Sequence, residues 1–212
     1  MKWLVLSIGL LCSTACGSRN HGADKGVFCV PAARAISNVG WAPADTGHMG
    51  DVAFRGCEAA DKDCGLPKEI SSGLITTKTA QVWKWESLPA DSFYKRVAIE
   101  GSPQFELSGD GRTVTISNPN LTSDLYVWRK VASANGRQNP LADGDELLAV
   151  CRLAEQAGRS AESWILSCDR YVQGKGYGLH YTFKSTGRVP QDVQSMDSKT
   201  LAQVESWRCK KD

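Results

Sequence analysis

The sequence has almost no net charge, few histidines and no long apolar run after its first sixteen residues. Lysine and arginine number 25 against 23 aspartates and glutamates. No basic run interleaves with aromatics, so a nucleic-acid partner is not expected. The three histidines are His21, His48 and His180, and none stands at metal-ligand spacing from a cysteine or another histidine. No Gly-x-Ser-x-Gly, phosphate-cradling glycine loop or paired-histidine helix motif occurs. The carboxylates show no spacing that marks a catalytic pair. The expectation is therefore a chain with no cofactor, no metal and no enzymatic activity of its own. Apolar stretches beyond residue 16 also fall short of bilayer-spanning length.

What is present starts at the amino terminus. Met1-Lys2-Trp3-Leu4-Val5-Leu6-Ser7-Ile8-Gly9-Leu10-Leu11-Cys12-Ser13-Thr14-Ala15-Cys16 combines one cation, an apolar stretch and small residues closing on cysteine. That is the shape of an export signal, too short to span a membrane and normally removed. Residues 1–16 resemble bacterial lipoprotein signals. Ala15 is the usual small residue before the modified cysteine, although Ser13 stands where leucine is usual. The resemblance implies a signal peptide over 1–15, lipidation of Cys16 and a tether over 16–26. Ordinary cleavage after Ala15 is the alternative, because Ser13-Thr14-Ala15 also reads as a small-x-small site.

Cysteine parity favours lipidation. The eight cysteines are 12, 16, 29, 57, 64, 151, 168 and 209. Ordinary cleavage would leave an odd number, whereas a lipidated Cys16 leaves an even set for disulfides. Gly17 follows the modified cysteine, and by resemblance to enteric lipoproteins the protein goes to the outer membrane, facing the periplasm. The alternative cleavage makes it soluble in the periplasm. An oxidising envelope favours disulfides over zinc. Cys57 and Cys64 close a short charged turn locally. Folding the 155–162 loop back as a hairpin brings Cys151 nearly opposite Cys168. Cys29 and Cys209 are left to tie the first strand to the last element.

Residues 27–212 read as one disulfide-stapled domain, mainly β with some α: an antiparallel sheet or sandwich with a carboxy-terminal amphipathic helix. A split into two subdomains near 134–145 stays open. Leu74–Thr77, Gln81–Glu86 and Tyr94–Ile99 read as strands. Gly109-Asp110-Gly111 marks a hairpin between Gln104–Ser108 and Arg112–Ser117. Leu125–Val131, Leu147–Leu153, Trp164–Val172 and Tyr177–Lys184 follow. In the last, Tyr177, Leu179, Tyr181 and Phe183 alternate with Gly178, His180, Thr182 and Lys184, which puts the aromatic face inward. Asp192–Cys209 has helical spacing, with Asp197 or Ser198 as the cap of its main segment.

The residues that could carry function are few. Trp41 lies in a loop with Pro43. Trp83 and Trp85, two apart, share one face of their expected strand. A partner contact competes at each of these tryptophans with core packing, which is the commoner fate of large aromatics. His180 sits on the polar side of its strand without a recognisable partner motif. In size, anchoring and texture the chain resembles small disulfide-bearing lipoproteins that act as immunity proteins or inhibitors in the Gram-negative envelope. That resemblance implies a non-catalytic binding protein, held to the lipid bilayer and directed at an envelope protein or toxin. An envelope hydrolase whose site assembles from separated strands is the rival, and a structural role in envelope assembly is a third reading.

Overall fold

A computed structural model of the chain describes residues 28–36, 51–59, 61, 63–76, 82–88, 91–131, 145–156, 163–186 and 192–209. Cys16, the tether, Trp41 and His48 lie outside the described residues. The strands are β1 (Val52–Arg55), β2 (Ile70–Thr76), β3 (Gln104–Leu107), β4 (Thr113–Ser117), β5 (Leu125–Lys130), β6 (Glu146–Gln156), β7 (Trp164–Gly174) and β8 (Tyr177–Thr186); the helices are α1 (Phe93–Ile99) and α2 (Val193–Ser206). All the strands join one antiparallel sheet in the order β1-β2-β8-β7-β6-β5-β4-β3. From β3 to β8 the chain meanders, each strand pairing with the next. The expected class, an antiparallel β-rich domain with a carboxy-terminal helix, is what the structure has.

Local chemistry sets the turns. In the β3–β4 hairpin Gly111 has φ 68° and donates to the Ser108 carbonyl. Only glycine adopts that conformation without strain. The Asp110 carboxylate accepts from the Ser108 hydroxyl and the Arg112 amide, closing the turn from within. β5 and β6 are neighbours in the sheet across the 132–144 segment, so the same sheet continues on both sides of it.

The strand alternation gives the sheet two faces. On one, Tyr177, Leu179, Tyr181 and Phe183 are all buried, together with the Cys151–Cys168 disulfide between directly opposed residues of β6 and β7. Helix α2 covers this face with Val193, Met196, Thr200 and Val204. Its end is stitched to the start of the fold: Cys29 bonds to Cys209, the Cys29 amide donates to the Trp207 carbonyl, and Arg208 stacks on Phe28. The third disulfide joins Cys57 and Cys64. The opposite face carries a second core, in which Trp83, Trp85, Leu88 and Ala98 pack on Val114, Ile116, Leu125, Val127 and Val150.

Three local expectations are corrected. Tyr94–Ile99 belongs to helix α1, not to a strand. Its apolar residues Tyr94, Val97 and Ala98 fall at helical spacing and meet the second core together, so tertiary packing overrides the β preference of valine and isoleucine. The Asn118 amide then caps the helix end by donating to the Val97 and Glu100 carbonyls. Residues 82–88 form a turn rather than the Gln81–Glu86 strand, because the Ser87 hydroxyl accepts from the Lys84 amide and bends the chain. Helix α2 is capped by Asp192, whose side chain accepts from the Ser195 amide, and not by Asp197 or Ser198. Asp197 faces the sheet instead and takes Arg170 and Tyr181.

Candidate functional site

Among the described residues the second face is only partly covered, and its polar part lies over β6, β7, β8, β2 and β1. Strand register arranges that part in cross-strand rows. One row is Arg152, Ser167 and Lys184. The next runs Val150, Asp169, Thr182, Ser72 and Arg55. A third runs Tyr171, His180, Leu74 and Ala53. Directly opposed side chains on one face are in contact range, so each row is a unit of interaction.

Asp169 is the hub. It is 5% exposed yet carries a carboxylate, which must find donors or be costly. Three arrive: the Thr182 hydroxyl at 3.0 Å and His180 Nε2 at 3.1 Å reach Oδ1, and the Tyr94 hydroxyl from helix α1 donates to Oδ2. Burial alone would raise the Asp169 carboxyl. The hydrogen bond and charge of His180, with the bonds from Tyr94 and Thr182, outweigh it and hold the group below its ordinary value. Burial, and then the Asp169 charge, drive the Tyr94 hydroxyl well above the usual phenol range. The same two causes push Tyr171 up to about 12.

His180 is held on two sides. Its ring stacks on Tyr171 with centroids 4.3 Å apart and planes 7° from parallel. Trp83 in turn packs on Tyr171 at 4.8 Å, so the second core braces the stack. In the neutral tautomer that carries its proton on Nε2, the ring keeps its lone pair on Nδ1. Among the described residues Nδ1 has no partner. An oriented imidazole of this kind can accept a proton or a hydrogen bond.

The outer row differs in character. Arg152 and Lys184 flank Ser167, and the row continues to Glu69, whose carbonyl accepts from the Lys184 amide. The Arg152 guanidinium lies 5.6 Å from the centre of the Phe93 ring, which is 43% exposed. An open groove of about 1010 Å3, which Lys184 also lines, runs between the Cys57–Cys64 turn and the start of α2. Its lining mixes Lys68, Lys184 and Lys199 with Glu58, Asp61, Glu69 and Asp192, so it presents no charge of one sign. No group of three or more metal-ligating side chains occurs among the described residues.

No protein-family model matches the chain, and neither a curated protein nor a solved structure matches it.

The residues singled out from sequence are dispersed. Trp83 and Trp85 are 7% and 8% exposed and belong to the second core, the core-packing alternative for that pair. Trp41 falls outside the described residues. His180 is on the polar face of β8, at the Asp169 hub. Tyr94, Asp169 and Arg152 were missed. Asp169 had a signal: it interrupts the run Ile165-Leu166-Ser167-Cys168-Asp169-Arg170-Tyr171-Val172, where a carboxylate at a central-strand position demands a partner. Tyr94 had none, since its reach depends on α1 being a helix.

Proposed function

We propose that this is a lipid-tethered envelope protein that works by binding, holding a protein partner against the half-exposed polar part of its sheet. The observation that carries the reading is the combination of that patch with a braced scaffold. Arg152, Ser167 and Lys184 stand in one cross-strand row and His180 two rows inward, on strands whose other face is closed by a cross-strand disulfide and helix α2. A preorganised surface loses little ordering entropy on association, and so binds more tightly for its area. Arginine and large aromatics dominate interface energetics, and Arg152 on the exposed Phe93 ring supplies both. The resemblance of the first sixteen residues to lipoprotein signals supports a tether at the membrane, and the immunity-protein or inhibitor class fits a rigid binder. The test is a pull-down from envelope extract with Cys16→Ser protein, beside a variant carrying Phe93→Ala and His180→Ala. A partner captured by the first and lost by the second, at unchanged fold, supports the reading. Equal capture by both would sink it.

A hydrolytic reading has one specific observation in its favour, the Asp169–His180 pair with Nδ1 unpartnered among the described residues. An aspartate that orients an imidazole is half of a general-base arrangement. Turnover of an envelope substrate by pure protein, abolished in His180→Gln, would replace the binding reading with this one.

A further inference from the structure

We propose that the outer edge of β3 is a self-association site, at which two copies of the chain pair β3 antiparallel about a two-fold axis through Phe105. This goes beyond the binding reading and does not depend on it. The polar patch lies over β6, β7, β8, β2 and β1, whereas β3 is the opposite edge of the sheet.

Hydrogen-bond parity carries the inference. In an antiparallel pair, residues alternate between exchanging both backbone bonds with the strand opposite and turning them away. The Ser108 amide donates to the Thr113 carbonyl, and the register from Leu107↔Val114 to Gln104↔Ser117 continues from that pair. Glu106 and Gln104 therefore spend their backbone groups on β4, while the N–H and C=O of Phe105 and Leu107 point outward. No further strand takes them up among the described residues. The other edge differs. There the Ile36 amide donates to the Ala53 carbonyl and the Arg55 amide to the Arg34 carbonyl, so β1 is covered by the chain itself. An open edge is a template for another strand.

The side chains select the strand. β3 has four residues, with Pro103 before it and Glu106 within it, devices that blunt an edge against indiscriminate pairing. They leave one self-complementary register. Pairing centred on Glu106 would set two carboxylates directly opposite each other, which is destabilising. Pairing centred on Phe105 opposes the two Phe105 rings, and each Glu106 meets the Gln104 amide of the second copy. The carboxylates then fall on the diagonal, roughly 7–8 Å apart, where water and salt screen them. On the Phe105 side of the strand, Leu107 meets Pro103 of the second copy. The two Phe105 residues exchange both backbone bonds, and each Leu107 amide donates to a Pro103 carbonyl. Proline has no amide to give back, so the ladder ends there. Phe105 is 37% exposed and open to this contact. So short an edge buries less than the roughly 1,200 Å2 of a stable complex, and the dimer is a weak one.

The experiment is sedimentation equilibrium of the full chain carrying Cys16→Ser from about 10 µM to about 1 mM, the range of a transient contact. Amide hydrogen exchange is measured at both ends of that range. Wild type should pass from monomer to dimer, and the Phe105 and Leu107 amides should exchange more slowly at the high concentration. Gln104 and Glu106, already bonded to β4, should change little. Phe105→Asp replaces a ring pair with two opposed carboxylates and should weaken association by at least about tenfold. Glu106→Gln should stay within about threefold, because its carboxylate is not opposed to its own copy. Phe93→Ala with His180→Ala, which removes the patch of the binding reading, should dimerise as wild type does. The exchange measurement needs no variant, so a misfolded Phe105→Asp protein does not spare the proposal. A wild type that stays monomeric throughout, or Phe105 and Leu107 exchange that ignores concentration, would overturn the site. A gain of about tenfold in Glu106→Gln would overturn the register. Envelope capture that survives Phe105→Asp leaves the binding reading standing whichever way the edge is decided.

Discussion

The two faces of the sheet treat the same residue types in opposite ways. Arg170 on β7 faces α2 and is spent on the fold. It donates to both Asp197 oxygens, at 3.3 Å from Nε and 3.0 Å from Nη2, and to the Leu147 carbonyl at 2.8 Å, with only 7% of its side chain exposed. Tyr181 donates to the same Asp197 at 2.5 Å. Arg152 on the neighbouring strand faces the other way and rests on an aromatic ring. Polar groups on the α2 face close upon one another. On the second face, among the described residues, they close around Asp169, and the next row outward, Arg152, Ser167, Lys184 and Glu69, stays at the surface. The difference separates what holds this fold from what it can offer a partner.

The largest test of that contrast is Arg170→Ala. It leaves Asp197 facing the sheet with Tyr181 as its remaining donor from β8, and breaking one side of a buried pair costs about 3–5 kcal/mol. Chemical denaturation should show a lower midpoint at unchanged slope. A loss below about 1 kcal/mol, the worth of an exposed ion pair, would mean that the α2 face is not locked by this network.

How much of this was legible depends on the distance over which each signal acts. The aromatic alternation of Tyr177–Phe183, the glycine-rich hairpin at 109–111 and the helical spacing after Asp192 are local, and the structure has the corresponding strand, turn and helix. Helix α1 was not legible, because Tyr94, Val97 and Ala98 are as acceptable to a strand as to a helix until the second core selects between them. The Asp169 hub was half legible. His180 could be placed on the polar face of β8, but its carboxylate comes from β7 and its further hydroxyl from α1, and the pairing of strands is not written in either segment. Asp197 misled for a related reason. A helix-capping residue type was claimed by the sheet, while Asp192 took the cap with φ 51°.

A middle-sized effect is expected at the hub itself. Asp169→Asn keeps the shape but removes the charge that accepts from three donors, at a cost of about 1–3 kcal/mol near neutral pH. The pH dependence fixes the sign. Because the Asp169 carboxyl is lower in the folded protein than its ordinary value, its contribution is fully present above the unfolded carboxyl pKa. It is lost as pH falls through the depressed folded value. Thermal melts from neutral to strongly acid pH should therefore converge for the wild type and Asp169→Asn at the acid end. A constant gap across the whole range would show that the substitution acts through packing and not through the charge.

The smallest effect on stability is expected at Arg152, and it completes the contrast with Arg170. Arg152→Ala gives up a cation–ring contact at a half-exposed position, worth about 0.5–1 kcal/mol, and strands no buried partner. Surface changes away from such features stay near that scale. The same truncation on adjacent strands should thus differ several-fold in cost between the two faces. Equilibrium unfolding of Arg152→Ala and Arg170→Ala side by side measures that ratio directly. If the two losses are equal, the arginine over Phe93 is structural after all. If Arg152→Ala leaves the midpoint almost unmoved while Arg170→Ala lowers it strongly, the guanidinium on β6 is free of structural duty, as a residue kept for contact with another molecule must be.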